Sequence, residues 1–218
     1  MSDTRQDNDG YRRFREALQN GRLRAGMVVT QNELCELLGL SLSPLRETLV
    51  LLEEYGLVEI KPRTGIRIVY PEVAFIRENA QFRIMIEVHA LKTCGDMVSA
   101  DWLANMREKH EERRAQLAAD GDFEQLKTDL LVLDRQFHRD LVSLLENNAI
   151  SSTHIRLQDN LGMARRVHQA GIFRNQLMAT MDEHMRVIAA LEQRNVPAAV
   201  EALEAHFRAS THRTFAAN

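Results

Sequence analysis

Residues 30–69 read TQNELCELLGLSLSPLRETLVLLEEYGLVEIKPRTGIRIV. Two short helical patterns meet there at a glycine. Thr30 is placed to cap the first helix, which runs to about Leu38, and Gly39 makes a sharp turn. A second helix follows, with Ser43 as its expected N-cap and Pro44 at its first position, where the missing N–H is harmless. Leu34, Leu38, Leu45, Leu49 and Leu52 recur at helical spacing and pin the pair to each other and to an earlier helix expected over 11–20. The periodicity then changes from helical to alternating. Val58 and Ile60 alternate, PRTG interrupts, and Ile66 and Ile68 alternate again, which is a β-hairpin. MVVT at 27–30 is a further expected strand. Two helices at a glycine turn followed by a hairpin describe a winged helix-turn-helix.

Such an element is built for reading a DNA groove. The first turn of its second helix enters the major groove. Arg46 projects from that turn, and Ser43 and Thr48 are expected to reach phosphates. The hairpin tip Lys61–Pro62–Arg63–Thr64–Gly65 would meet the backbone or the minor groove. Phosphate contacts position the protein and base contacts specify sequence. The competing reading is a winged helix used for contact with another protein.

Composition sets wide bounds. The chain has 218 residues, 44% of them apolar and 27% charged, which suits a globular protein of one large or two small domains. No apolar run reaches membrane-spanning length, and the start, MSDTRQDNDG, lacks an apolar signal region and reads as a disordered tail over 1–10. Cys35 and Cys94 read as free thiols of a reducing cytoplasm. Net charge is −3, yet residues 11–70 hold nine Arg/Lys against seven Asp/Glu, which permits DNA binding by that part without establishing it.

From YPE at 70–72 onward every segment reads helical. Six helices are expected, near 72–99, 101–119, 122–146, 148–170, 174–194 and 197–215, each ended by Gly, Pro, Asn or Asp. The fold class is therefore mainly α, a winged helix-turn-helix over 11–70 and an antiparallel bundle of about six helices over 71–218.

One bundle helix breaks the usual pattern. In LKTDLLVLDRQFHRDLVSLL (126–145) the apolar stripe is Leu130, Leu133, Phe137, Leu141 and Leu145, and Asp134 and His138 fall within it. His184 sits on the face of Leu177, Met181, Ile188 and Leu191, and His206 on that of Ala199 and Leu203. Unpaired buried polar groups are costly. One Asp and three His form a donor set for zinc, nickel, iron or copper. Alternatively, Asp134 pairs with a protonated His184 or His206. The residues alone leave both open. No second inward carboxylate is apparent, which argues against a hydrolase because a general base is lacking. His89, His110, His154, His168 and His212 read as structural or surface groups.

Residues 11–70 resemble the DNA-binding domain of GntR-family transcription regulators. The likeness rests on Gly21, Leu23 and Gly26, on Leu38–Gly39–Leu40–Ser41–Leu42–Ser43–Pro44–Leu45–Arg46–Glu47–Thr48–Leu49, and on Gly56–Leu57–Val58 with Gly65. The family commonly has arginine where Leu42 stands and a basic DNA contact where Asn32 stands, so a departure from the usual operator is expected. After the wing the chain resembles the FadR-type branch, through Asp134, Phe137 and His138, then Glu183, His184 and Ile188, then His206. The helix count is similar to the VanR-type subgroup. The resemblance implies a divalent metal, zinc or nickel, on Asp134, His138, His184 and His206, and a small organic-acid effector. Arg83 stands where the family carries an inward arginine; Arg165 and Arg166 are further candidates. An isolated surface pair of Arg83 with Glu87 is the competing reading for Arg83.

The expected function is a cytoplasmic bacterial transcription regulator, a repressor released by its effector and not an enzyme. As a homodimer it would bind a short inverted repeat of double-stranded DNA, with no membrane partner. The expected DNA-contacting set is Thr30, Ser41, Ser43, Arg46, Lys61, Arg63, Thr64 and Gly65. The competing functions are a metal-dependent hydrolase with a DNA-binding module, and a DNA-binding protein that answers to no effector.

Overall fold

The first helix, α1 (Asp9–Gln19), begins inside the stretch expected to be a tail. Residues 9–69, 73–119, 122–167 and 173–215 are described in this computed structural model, without the side chains of 19, 73, 163–167, 214 and 215. The remainder of the expected tail, 1–8, and the YPE segment, 70–72, lie outside the described residues.

α2 (Gln31–Leu38) is bounded as its sequence dictates. Thr30 adopts extended backbone and its hydroxyl accepts from Glu33 N at 3.2 Å, while the Glu33 carboxylate accepts from Thr30 N at 2.7 Å. Gly39 closes the helix in the left-handed region at φ 63°. α3 (Leu42–Glu54) starts two residues earlier than its spacing suggests. Its N-cap is Ser41, not Ser43, and Pro44 is the third helical residue. Proline is tolerated there because none of the first helical N–H groups has a partner within the helix.

α1 packs on α3 at close range. A Cβ at Gly10 would lie 2.0 Å from Thr48 Oγ1, so only glycine fits. Thr48 is buried and its hydroxyl donates to the Pro44 carbonyl at 2.8 Å, which removes it from the phosphate contacts expected of it. Phe14, Leu34, Leu45, Leu52 and Ile68 form the core between helices and sheet.

The sheet has strands β1 (Val28–Val29), β2 (Val58–Lys61) and β3 (Gly65–Ile68) in the antiparallel order β1-β3-β2. Val58 pairs with Ile68 and Lys61 with Gly65, which sets the tip at residues 62–64. Gly65 has φ 115°, and a Cβ there would stand 2.8 Å from the Val29 carbonyl oxygen. Glycine is thus required where β3 leaves the tip.

Six α-helices follow among the described residues: α4 (Val73–Cys94), α5 (Ala100–Ala118), α6 (Phe123–Ser143), α7 (Asn148–Val167), α8 (Arg174–Glu192) and α9 (Val196–Phe215). α4 stops at Cys94 instead of 99 and gives way to a single 3-10 turn, Gly95–Met97. Ser99 caps α5 and Asp122 caps α6 with side-chain oxygens. α8 packs on α9, α5 and α6. Leu130, Phe137, Leu141, Met181, Val187, Ile188 and Leu203 are fully buried among them. No described helix is long and apolar enough to cross a membrane.

The chain divides into two compact units, Met1–Asn79 with Asp159–Gln169, and Ala80–Gln158 with Ala170–Asn218. The end of α7 therefore belongs with the winged helix. Within that unit the Tyr11 hydroxyl donates to Asp159 Oδ2 at 2.5 Å, and Asn160 Nδ2 donates to Asn79 Oδ1 at 2.9 Å.

Candidate metal centre and DNA-reading face

In the second unit, three helices bring Asp134, His138, His184 and His206 together. One ligand atom from each lies within 4.8 Å of all the others. α6 supplies Asp134 and His138 from successive turns, α8 supplies His184 and α9 supplies His206. The three imidazoles are buried and Asp134 is half-buried. Phe137 stacks on His184 with ring centroids 4.2 Å apart, which fixes the plane of that ring.

The neighbours of each imidazole decide its tautomer. His138 Nδ1 lies 2.5 Å from Glu87 Oε2, and His206 Nδ1 lies 2.8 Å from Glu183 Oε2. A carboxylate only accepts, so each Nδ1 carries the proton. His110 Nδ1 lies 2.7 Å from the Met106 carbonyl and so also carries one. That leaves His110 Nε2 as an acceptor, 3.1 Å from His184 Nδ1, which must donate to it. All three rings therefore hold Nδ1–H outward and turn Nε2 towards one another. His138 Nε2 and His184 Nε2 are buried with no hydrogen-bond partner. They stand 3.8 and 3.6 Å from Asp134 Oδ1, too far for hydrogen bonds.

The electrostatics agree with neutral His138 and His184 rings. Burial pushes His138 down to about 4, against the pull of Glu87. Burial, aided by His206 and His138, holds His184 well below its usual range. Burial opposes ionisation of Glu87, but Arg83 and His138 outweigh it and hold the carboxyl well below its usual range. Glu183 is likewise opposed by burial yet lowered to about 2 by Arg213 and His206. Glu87 and Glu183 thus stay charged, each matched by an arginine.

Glu87 and Glu183 correct the expectation that no second carboxylate turns inward. Glu87 is fully buried and ties three helices together. Its Oε1 accepts from Arg83 Nε and from His154 Nε2, both at 2.7 Å, while Oε2 accepts from His138. The i, i+4 pair of Arg83 and Glu87 does form, but inside the bundle and not at its surface. Arg83 Nη2 is buried without a partner, and the guanidinium lies 5.1 Å from the Phe207 ring centroid. His110 and His154 are buried members of this network, whereas His89 and His212 are exposed and His168 lies outside the described residues. The side chains of Arg165 and Arg166 also lie outside the described residues.

The sequence carried a signal for most of these. Arg83 and Glu87 share the α4 stripe of Ile76, Ile86, Ala90 and Leu91, and His110 shares that of Leu103, Met106 and Leu117. The reasoning that singled out Asp134 on α6 applies to them unchanged.

In the first unit, the outward side of α3 presents Leu42, Ser43, Arg46, Glu47 and Val50 to solvent. Arg46 makes no ion pair among the described residues. Ser41 is exposed and its hydroxyl makes no capping bond. Lys61, Arg63 and Thr64 are exposed at the wing tip, with Lys61 Nζ 3.6 Å from Glu59 and Arg63 in the left-handed region at φ 64°. The Thr30 hydroxyl is engaged with Glu33 in the α2 cap.

Comparison with known proteins identifies both units. Residues 78–209 match the FCD domain, and residues 9–68 match the bacterial regulatory proteins of the gntR family. The HTH-type transcriptional regulator YdhC of Bacillus subtilis (strain 168) is 25% identical over 197 residues, covering 90% of this chain and 85% of that protein. The HTH-type transcriptional repressor RspR of Escherichia coli (strain K12) is 21% identical over 198 residues, covering 91% and 84%. E. coli McbR/YncC has the same fold, with a TM-score of 0.76 at 18% identity, covering 99% of each chain. These families and relatives are transcription regulators, not enzymes. With an FCD domain over more than half its length behind a GntR-type winged helix, the chain belongs to the FCD branch of the GntR family and is a DNA-binding transcription regulator.

Proposed function

We propose that the chain is a repressor whose grip on DNA is released by a small carboxylate effector, bound at a divalent metal held by Asp134, His138, His184 and His206. One observation carries this reading. Two buried imidazole nitrogens without a hydrogen-bond partner, His138 Nε2 and His184 Nε2, face a carboxylate beside the His206 ring. Such a set of acceptors is repulsive on its own, and a cation at its centre removes the repulsion. The outward Nδ1–H bonds are the outer-shell support that metal-binding histidines use. Asp134 Oδ1 stands 3.6 and 3.8 Å from His184 Nε2 and His138 Nε2, close enough for one cation to be shared with bonds of about 2.0–2.2 Å, and a cation that takes more than four ligands would keep a position for the effector. Mixed imidazole and carboxylate ligation suits zinc or nickel.

Charge balance supports an anionic effector. Glu87 is matched by Arg83 and Glu183 by Arg213. Asp134 then offsets only half of a divalent cation, so the site favours one further negative charge. The metal would supply a Lewis-acid anchor for a carboxylate. Arg83, with Nη2 buried and unspent, would hold the same group by a charge-assisted hydrogen bond. Phe207 packs against that guanidinium and keeps it in place.

DNA would be held by Arg46, Ser41 and Ser43 of α3 in the major groove, with Lys61, Arg63, Thr64 and Gly65 at the wing, while the Thr30 hydroxyl, spent on Glu33, would not take part. Two copies in the cytoplasm would bind a short inverted repeat, since twofold protein symmetry matches operator symmetry. The repressor role draws on the name of the E. coli relative RspR. The test is a gel-shift titration on the chain's own promoter DNA, with zinc-loaded protein and a panel of small carboxylates. Release by at least one carboxylate, lost in Arg83→Met, is the expected result. Release that is equal in metal-stripped and zinc-loaded protein would refute the metal-held effector.

A further inference from the structure

We propose that Leu42 reads the 5-methyl group of a thymine in each operator half-site, within about two base pairs of the base contacted by Arg46. Leu42 opens α3 directly after the Ser41 cap. The buried face of α3 is Leu45, Thr48, Leu49, Leu51 and Leu52, and Leu42 lies off it at 43% exposure. It is also absent from the partly buried side chains packed on that core, which are Cys35, Leu37, Leu40 and Tyr55. Folding of the unit therefore does not account for this leucine.

Its position does. The N-terminal residues of a recognition helix meet base edges. Leu42, Arg46 and Val50 follow at i, i+4 and i+8, so they share one outward face, and all three are exposed. A leucine neither donates nor accepts a hydrogen bond. Opposite a hydrogen-bonding base edge it would strand polar groups. The thymine methyl is the one apolar feature that a base presents in the major groove. Four helical residues advance about 6 Å, against about 3.4 Å per base pair, which places the methyl within two steps of the Arg46 contact. Ser41, whose hydroxyl is not used for capping, and Ser43 flank Leu42 and can take the phosphates on either side.

The test uses the full chain and a randomised duplex pool. Wild type, Leu42→Ala and Leu42→Arg are each carried through binding-site selection. Wild type is expected to enrich, in each half-site, a thymine within about two base pairs of the guanine expected at the Arg46 contact. Leu42→Ala should lose that preference and keep the rest of the site, and Leu42→Arg should replace it with guanine. In the selected site, exchanging that thymine for uracil removes only the methyl. This should weaken wild type about fourfold, the effect of exposing one methyl-sized apolar group, and leave Leu42→Ala unchanged. Circular dichroism melts confirm that both variants fold. The proposal is overturned if no thymine is enriched, if the preference survives in Leu42→Ala, or if uracil and thymine sites bind wild type equally.

Discussion

Replacing His110 with phenylalanine separates the tautomer argument from simple packing. His110 is fully buried on α5, and its ring meets Phe137 edge-on at 5.6 Å. Phenylalanine keeps that contact and much of the volume. What it removes is the acceptor, His110 Nε2, 3.1 Å from His184 Nδ1. A buried donor left without a partner costs about 1–3 kcal/mol. His184 can avoid that cost by moving its proton to Nε2, towards Asp134 Oδ1 at 3.6 Å. The lone pair is then no longer available to a metal. The consequence is asymmetric. Metal-free protein loses little stability, whereas zinc affinity falls about 10–100-fold, the usual effect of losing an outer-shell partner. His110→Gln, which keeps an acceptor, should restore most of it. The assay is chelator competition for zinc, with thermal melts of stripped and loaded protein beside it. If His110→Phe binds zinc as tightly as wild type, the reasoning from tautomers fails.

Other expectations test separate parts of the account. Gly10→Ala forces a Cβ into Thr48 and should destabilise the first unit by about 1–3 kcal/mol in chemical denaturation, with Thr48→Ala relieving it. Arg213 holds Glu183 through both oxygens, at 2.7 and 2.8 Å, so Arg213→Met should cost about 1.5–3 kcal/mol by the same measurement. Arg46→Ala should weaken binding to the selected operator by about 10–100-fold in fluorescence anisotropy, the scale of one lost bidentate base contact.

The architecture was legible because its signals are local. The capping pair Thr30 and Glu33, the left-handed Gly39 and the alternation around residues 62–64 each fix a boundary from a few neighbouring residues. The α3 start was misplaced because Pro44 is acceptable at any of the first helical positions, so it does not mark the first. At the candidate centre, Asp134 and the three histidines stood out as polar breaks in apolar stripes. Glu87 lies in such a stripe too, but four residues from Arg83 it also reads as an ordinary surface ion pair. Only packing against α6 and α7 shows it to be buried. Glu183 sits beside His184 at the edge of the α8 stripe, and its partner Arg213 is 30 residues away on α9. No periodicity along a single helix reports a contact of that range.

The most direct test of the central claim is the metal content of the purified, untagged chain by mass spectrometry, with His138→Ala alongside. The account predicts about one zinc or nickel per chain in the wild type and a loss of it in the variant. A wild-type chain that carries no metal after purification, and takes up neither zinc nor nickel on addition, would contradict it.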